Sequence, residues 1–281
     1  MSDLPSVAAP LRLIPFDRLA AVRQLALSEA MLDEVGRNGG PPTLRIYGWP
    51  GSTMLLGSGQ PSEAVDREAC ERLEIPLLRR MSGGTAVLHD EQTISLQLTL
   101  PADHPLVSDD IHRNFRWFSE LLIAALARLG IAASWMPLDQ ARAEQAPAGL
   151  EGACYSTLAP YEVAVNGRKL IGHGQIRRIR ATAMQAMVYR VFEPSRTVRL
   201  LDHDGRSDQE LEHELAERVI DLRSAAGRAI SVDAYIDAVV RTAESTFGPI
   251  ERTGSLSTVL LERAGELERS KYGNADWTFR R

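Results

Sequence analysis

The chain has 281 residues, 44% of them hydrophobic and 25% charged, with 21 Gly and 15 Pro. This is the composition of a globular protein able to bury a substantial core, and it excludes collagenous, low-complexity and fibrous chains. A formal charge of −5 argues against binding of nucleic acid or anionic membrane through overall charge, so such a role would need a local basic patch.

Two cysteines, Cys70 and Cys154, are too few for a disulfide framework and point to a reducing compartment, read as the cytoplasm. Residues 1–15 lack the basic start and apolar stretch of a signal peptide. The longest purely aliphatic run, residues 121–127, is seven residues and too short to span a membrane.

In chain order, the first helix is predicted after Asp17 as N-cap. Leu19, Val22, Leu25, Ala26, Ala30 and Leu32 form one broad stripe that ends at Gly36, Gly39 and Gly40. Strands are expected at 43–49 and 53–56 around a Pro50-Gly51 turn, then a helix over 62–74, then strands at 75–81, 86–89 and 93–100. Their close succession favours antiparallel pairing. A long helix capped by Ser108 carries Ile111, Phe115, Phe118, Leu122, Leu126 and Leu129 at three- and four-residue steps, stops at Gly130 and should lie across the sheet. Residues 137–153 show no clean period and read as a surface loop running into Cys154. The pair Asn166-Gly167 between strand-like runs at 161–165 and 168–172 predicts a type I′ hairpin. A strand over 183–192, a turn at Pro194 and helices over 209–222, 232–246 and 259–268, capped by Ser207, Ser231 and Ser257, complete the chain. The expected organisation is a core over 1–205 and a helical carboxy-terminal part of the same domain over 206–281.

The segment from Arg79 to Asp90 is the most informative. It carries Arg79 and Arg80 into Ser82-Gly83-Gly84, then a short apolar strand and His89-Asp90. Paired glycines between strands form an ordinary turn, or a place where a ligand approaches the backbone; exposed N–H groups and two arginines there would suit a phosphate or carboxyl group. Cys154 lies between an irregular loop and a strand, where a thiol can be reached, although a lone cysteine is more often a small buried filler. Cys70, inside a helical pattern, is read as structural. The six histidines (His89, His104, His112, His173, His203 and His213) show no paired ligand spacing, so a zinc site is not expected. No Walker loop, nucleophile elbow or dinucleotide fingerprint is present.

This segment resembles the signature of the biotin/lipoate protein ligase family, together with Tyr47-Gly48-Trp49-Pro50, Gly57-Ser58-Gly59-Gln60 and Gly167-Arg168-Lys169-Leu170-Ile171-Gly172, in the family's order and spacing. The resemblance covers about residues 15–200; beyond, Lys271-Tyr272 and Trp277-Thr278-Phe279 are similar to the family's carboxy-terminal end. It implies an α+β fold, a mixed and largely antiparallel sheet flanked by helices. Ala153-Cys154-Tyr155 is similar to the Ala-Cys-Phe of the octanoyltransferases that act from octanoyl-acyl carrier protein. The resemblance therefore implies that Cys154 accepts the acyl group from a carrier thioester and passes it to a lysine amine. It also implies that Lys169 holds and polarises the acyl carbonyl and favours the nearby thiolate. Arg80, Ser82, Gly83 and Gly84 would shape the acyl and pantetheine end of the pocket, with His89, Gly172, His173 and Gln175 as further substrate contacts; His89 would serve as a turn residue.

No cofactor is then needed, and the partners implied are acyl carrier protein, an octanoyl or lipoyl chain, and lipoyl domains or the glycine-cleavage H protein, with neither nucleic acid nor membrane. Two departures stand out: His173-Gly174 where relatives read Ser-Ala, and Ala186-Met187 where they read His-Gly. His173 is a candidate base for the thiol, and Met184 and Met187 could line an acyl tunnel or fill a core gap. Residues 168–199 hold eight cations against one acid, Glu193, either a docking face for an acidic partner or a solvated strand face. Alternative readings are an ATP- and Mg-using lipoate-protein ligase or a lipoyl amidotransferase of the same family, and, in another class, a non-catalytic module that binds acyl chains or carrier proteins.

Overall fold

The computed structural model describes residues 10–141, 145–202 and 205–280; His203 lies outside them. Two sheets share the core. The larger is ordered β11-β1-β2-β6-β10-β9-β8-β7, built from β1 (Leu11–Arg18), β2 (Thr43–Gly48), β6 (Thr93–Pro101), β7 (Ser134–Trp135), β8 (Val163–Val165), β9 (Arg168–Arg177), β10 (Ala181–Tyr189) and β11 (Ile250–Arg252). Its β11-β1-β2 edge is parallel and the rest antiparallel. The smaller sheet joins β3 (Thr53–Leu56) in parallel to β4 (Leu77–Arg79) and antiparallel to β5 (Val87–His89).

The central strand β6 shows how the sequence divides the molecule. Ile94, Leu96, Leu98 and Leu100 point to one face, where they pack with Phe118, Leu122, Val239 and Phe247 from the helices Ile111–Arg128 and Val232–Phe247. The alternate positions Thr93, Ser95, Gln97 and Thr99 are equally buried but polar, and face the helix Ala21–Asn38, where Gln97 Nε2 donates to the Ser28 carbonyl at 2.9 Å. Period-2 alternation thus gives the sheet an apolar face and a polar, buried face. The site reaches both: Gly172 and Gly174, opposite Met187 and Gln185, lie on the second face, while His173 and Gln175, opposite Ala186 and Met184, lie on the first.

Several expectations change. Residues 11–18 form a strand that the sequence pattern did not suggest, because Pro15 interrupts it; the ladder to β2 shifts register between Ile14 and Asp17. Asp17 is therefore not a cap. Its carboxylate accepts from Arg45 Nη2 at 3.0 Å and Gln24 Nε2 at 2.9 Å. The 62–74 helix reduces to a 3₁₀ turn Ser62–Ala64 and a helix Arg67–Arg72 capped by Asp66. Asp110, not Ser108, caps the long helix. β3 and β4 pair in parallel, since the connection over 57–76, with its 3₁₀ turn and helix, is long enough for the crossover that a parallel pair requires, and β5 and β6 belong to different sheets. The 137–153 loop holds a helix Leu138–Ala141 and buries Leu150 and Ala153. The carboxy-terminal third contributes β11 besides helices, and Pro194 opens the helix Pro194–Val198 rather than a simple turn.

The Asn166-Gly167 turn has φ of +51° and +76°, the positive pair that a type I′ hairpin requires. Ser231 and Ser257 accept the N-cap bonds expected of them. No helix among the described residues is long and apolar enough to cross a membrane.

Candidate active site

A cavity of about 500 Å³ opens between the small sheet and β9-β10, within the size range of small-molecule pockets. All ten residues singled out from the sequence line it: Cys154, Lys169, Arg80, Ser82, Gly83, Gly84, His89, Gly172, His173 and Gln175.

Backbone pairing places the sulfur. Ala86 N donates to Gly152 O at 2.8 Å and Cys154 N to Ala86 O at 2.7 Å, so the 150–156 segment docks onto the start of β5. Gly152 is needed there, since a Cβ would lie 2.6 Å from the Ala64 carbonyl. Cys154 opens a 3₁₀ turn, is partly exposed and carries a free thiol. Cys70 is 1% exposed, and burial, reinforced by Asp66 and Glu71, pushes its thiol up to about 11. It stays an inert packing residue.

Lys169 is 2% exposed. Its Nζ donates to Cys154 O at 2.8 Å and Thr157 O at 3.2 Å and pairs with Glu162 Oε2 at 2.6 Å, 4.7 Å above the Tyr155 ring. Burial pulls its pKa down, but the charges of Glu162 and Cys154 outweigh that and raise it. The ammonium is therefore retained, with its three N–H bonds engaged. A register shift between Val163 and Ala164 turns this part of the hairpin toward the cavity.

Glu162 was not singled out from the sequence, although a signal existed. The hairpin register pairs Ala164 with Lys169, and Glu162, two residues earlier, shares that face. Tyr155 was likewise missed: its hydroxyl donates to Met187 O at 2.7 Å and accepts from Gly172 N at 3.0 Å, tying β9 to β10 beside the thiol. Gly172 leaves room for this arrangement, since a Cβ there would lie 3.2 Å from both Lys169 Cε and Tyr155 Cε2.

The two arginines do not wait for an anion. Arg79, 1% exposed, donates to Thr278 O at 2.7 Å, Gly57 O at 2.7 Å and Gln60 O at 2.6 Å, and Trp277 Nε1 donates back to Arg79 O at 2.9 Å. The motif near the carboxy terminus is thus a clasp on the site loop. It is held further by Lys271 and Tyr272, each 2.6 Å from Glu29 Oε2. Arg80 donates to the carbonyls of Leu55, Gly83 and Thr85 at 2.9, 2.7 and 2.8 Å. It shapes the Gly83-Gly84 loop, where Gly84 has φ +88° and its carbonyl sits so close to Gly57 that a Cβ on Gly57 would meet it at 1.7 Å.

His89 ends β5 instead of making a turn, stacked on Trp49 with centroids 4.3 Å apart. Trp49 is itself fixed by Ser95 Oγ at 3.0 Å. Burial, helped by Arg80, pushes the His89 pKa down to about 3, so the ring is neutral. His173 stacks on Phe115 at 4.7 Å and 15°. Neither of its nitrogens has a hydrogen-bond partner, so no such bond joins it to Cys154. The two departures from the family pattern are neighbours, since His173 pairs with Ala186 across the ladder.

The eight cations at 168–199 do not form one face. Arg177, Arg178 and Arg180 sit at one end of β9-β10 and Arg168 and Arg190 at the other, about 30 Å away along the strands. Arg177 pairs with Asp109, Arg178 with Glu29, and Arg196 with Asp90 and Glu91. No cluster of three or more metal-ligating side chains occurs among the described residues.

The family model of the lipoyl protein ligase A/B catalytic domain matches residues 20–244. The chain belongs to this family. Among curated relatives, octanoyltransferase LipM of Kyrpidia tusciae is 28% identical over 96% of this chain and 98% of its own. Octanoyltransferase LipM of Exiguobacterium sibiricum is 29% identical over 94% and 96%. Two solved structures share the fold. One, from Thermoplasma acidophilum, belongs to work on a bipartite lipoate protein ligase and its E2 lipoyl domain (TM-score 0.79, 22% identity, 96% of both chains). The other is lipoate-protein ligase A bound with ATP (TM-score 0.79, 21% identity, 96% of this chain and 98% of that one).

Proposed function

We propose that the protein is an octanoyltransferase that moves an octanoyl chain from acyl carrier protein, through a thioester on Cys154, to a lysine of a lipoyl domain. The observation that carries this reading is a reachable thiol beside a buried, charge-compensated lysine in a family cavity. The LipM relatives, matched over nearly the whole chain, support the same chemistry.

In the first step the Cys154 thiolate attacks the donor's thioester carbonyl; a bond forms from Sγ to the acyl carbon, the carrier's C–S bond breaks, and the carrier thiolate leaves and takes up a proton. In the second, the neutral lysine amine of the acceptor attacks the Cys154 thioester, an amide forms, the amine's proton departs and the Cys154 thiol is restored. The Cys154 N–H is engaged by Ala86 O, so charge developing on the carbonyl oxygen falls to Lys169. Of that ammonium's bonds, the one to Thr157 O at 3.2 Å is the longest and is the one exchanged for the substrate oxygen. Leu25, Leu55, Val87 and Met187 supply apolar lining for the chain. The arginines are committed to backbone carbonyls, which favours a thioester substrate over one bearing a nucleotide's phosphates.

The test is incubation with octanoyl-acyl carrier protein without nucleotide, read by intact mass. A hydroxylamine-labile adduct that vanishes in Cys154→Ala and passes to an apo lipoyl domain is expected. Acylation only with ATP and free acid would make the protein a ligase, and binding without turnover a carrier module.

A further inference from the structure

His173 and Gln175 form a stretch of cavity wall that the transfer steps leave unused. They stand two residues apart on β9 and so share one face. Both ring nitrogens of His173 and both amide atoms of Gln175 are buried without a hydrogen-bond partner. Buried polar atoms are nearly always satisfied. Four orphans on consecutive same-face positions lining a cavity mark a place to be filled by a group of matching polarity.

The character of that group follows from the pair. The His173 ring is clamped flat on Phe115 and meets the edge of Phe118 at 6.4 Å, so its nitrogens hold fixed directions. Burial pushes its pKa down against the opposing charge of Glu162 and the nearby Tyr161 carbonyl, which meets hydrogen-bond geometry with neither nitrogen. A neutral imidazole offers one donor and one acceptor, and the Gln175 amide offers both. The set is uncharged and two-sided, unlike a phosphate or carboxylate site, and complements an amide. β8 pairs only with Arg168, Lys169 and Ile171, so among the described residues no strand covers the outer edge of β9 at His173 and Gln175.

Resting on the acyl-transfer reading, we propose that His173 and Gln175 are a subsite for an amide in the thiol arm of the acyl donor, the neutral amide-bearing chain that presents the thioester to Cys154. They select the donor's arm, not the acyl chain.

The experiment compares octanoyl thioesters of N-acetylcysteamine and of pentane-1-thiol, which match in length and differ in the amide. The readout is kcat/KM for the hydroxylamine-labile adduct on Cys154, in wild type, His173→Phe and Gln175→Leu. The wild type is expected to favour the amide-bearing donor on the order of 10- to 100-fold, and each variant to lose most of that preference while still acylating from the pentanethiol donor. Equal rates for the two donors in wild type, or a preference unchanged in both variants, would overturn the subsite. A preference that appears only when the amide is moved to the far end of the acyl chain would also overturn it, by placing the pair at the chain terminus. Absence of any Cys154 adduct with either donor and with octanoyl-acyl carrier protein would instead sink the transferase reading.

Discussion

Replacing Glu162 by Gln tests the electrostatic centre of the site. Glu162 and Lys169 are 3% and 2% exposed and 2.6 Å apart, so solvent screening is small. Gln keeps the shape and a hydrogen bond but leaves an ammonium buried without its counter-charge, and breaking such a pair from one side costs about 3–5 kcal/mol. In a chain of this size that lowers the thermal midpoint by about 6–10 °C. The pH dependence carries the diagnostic sign. In the wild type the Lys169 pKa is raised; its contribution to stability is present below the unfolded lysine value near 10.4 and is lost only as pH climbs through the folded value. In Glu162→Gln burial is the larger remaining influence and pulls the folded pKa below the unfolded one, so stability rises with pH between the two. The deficit should therefore narrow as pH rises toward the unfolded lysine value near 10.4, as thermal melts at increasing pH would show. Acylation of Cys154 should drop on the order of tenfold or more, as the carbonyl oxygen loses a reliable donor. A deficit under about 1 kcal/mol that does not change with pH would refute this account.

Two other outcomes follow from the same geometry. Gly57→Ala, whose Cβ would sit 1.7 Å from the Gly84 carbonyl, should destabilise by about 3 kcal/mol or more and distort the site loop; Gly59→Ala, with nothing within 4 Å, is the control in the same melts. His89, pushed down to about 3, should not titrate between pH 5 and 8 by NMR. Because its folded pKa lies below the unfolded value near 6.5, the stability it lends is present above that value and is lost as pH falls toward about 3. His89→Phe, which keeps an aromatic ring on Trp49, should flatten that acid limb.

Much of this protein could be read from local pattern, because local pattern is where local physics acts. Asn166-Gly167 specified its hairpin through the only backbone geometry that fits a two-residue turn. The stripe from Ile111 to Leu126 specified a helix through the spacing of its apolar positions, and the alternation in β6 specified a strand. All ten candidate site residues were marked by resemblance, and the fold brings them to one cavity.

What could not be read is whatever depends on a distant partner. Asp17 resembles a helix cap until Arg45, 28 residues away, claims its carboxylate. Arg79 resembles an anion ligand until the carbonyl of Thr278, 199 residues away, occupies its guanidinium. The charge-rich run at 168–199 resembles one docking face until an antiparallel pair carries its halves to opposite ends. Side-chain type and spacing are properties of the chain, so the sequence by itself determined many of the elements and marked Cys154 and Lys169 as candidates. Which charges are compensated, which donors are already spent and which polar atoms are left waiting are properties of neighbours in space. Those were decided only when Glu162 met Lys169 and β9 laid His173 and Gln175 along the cavity.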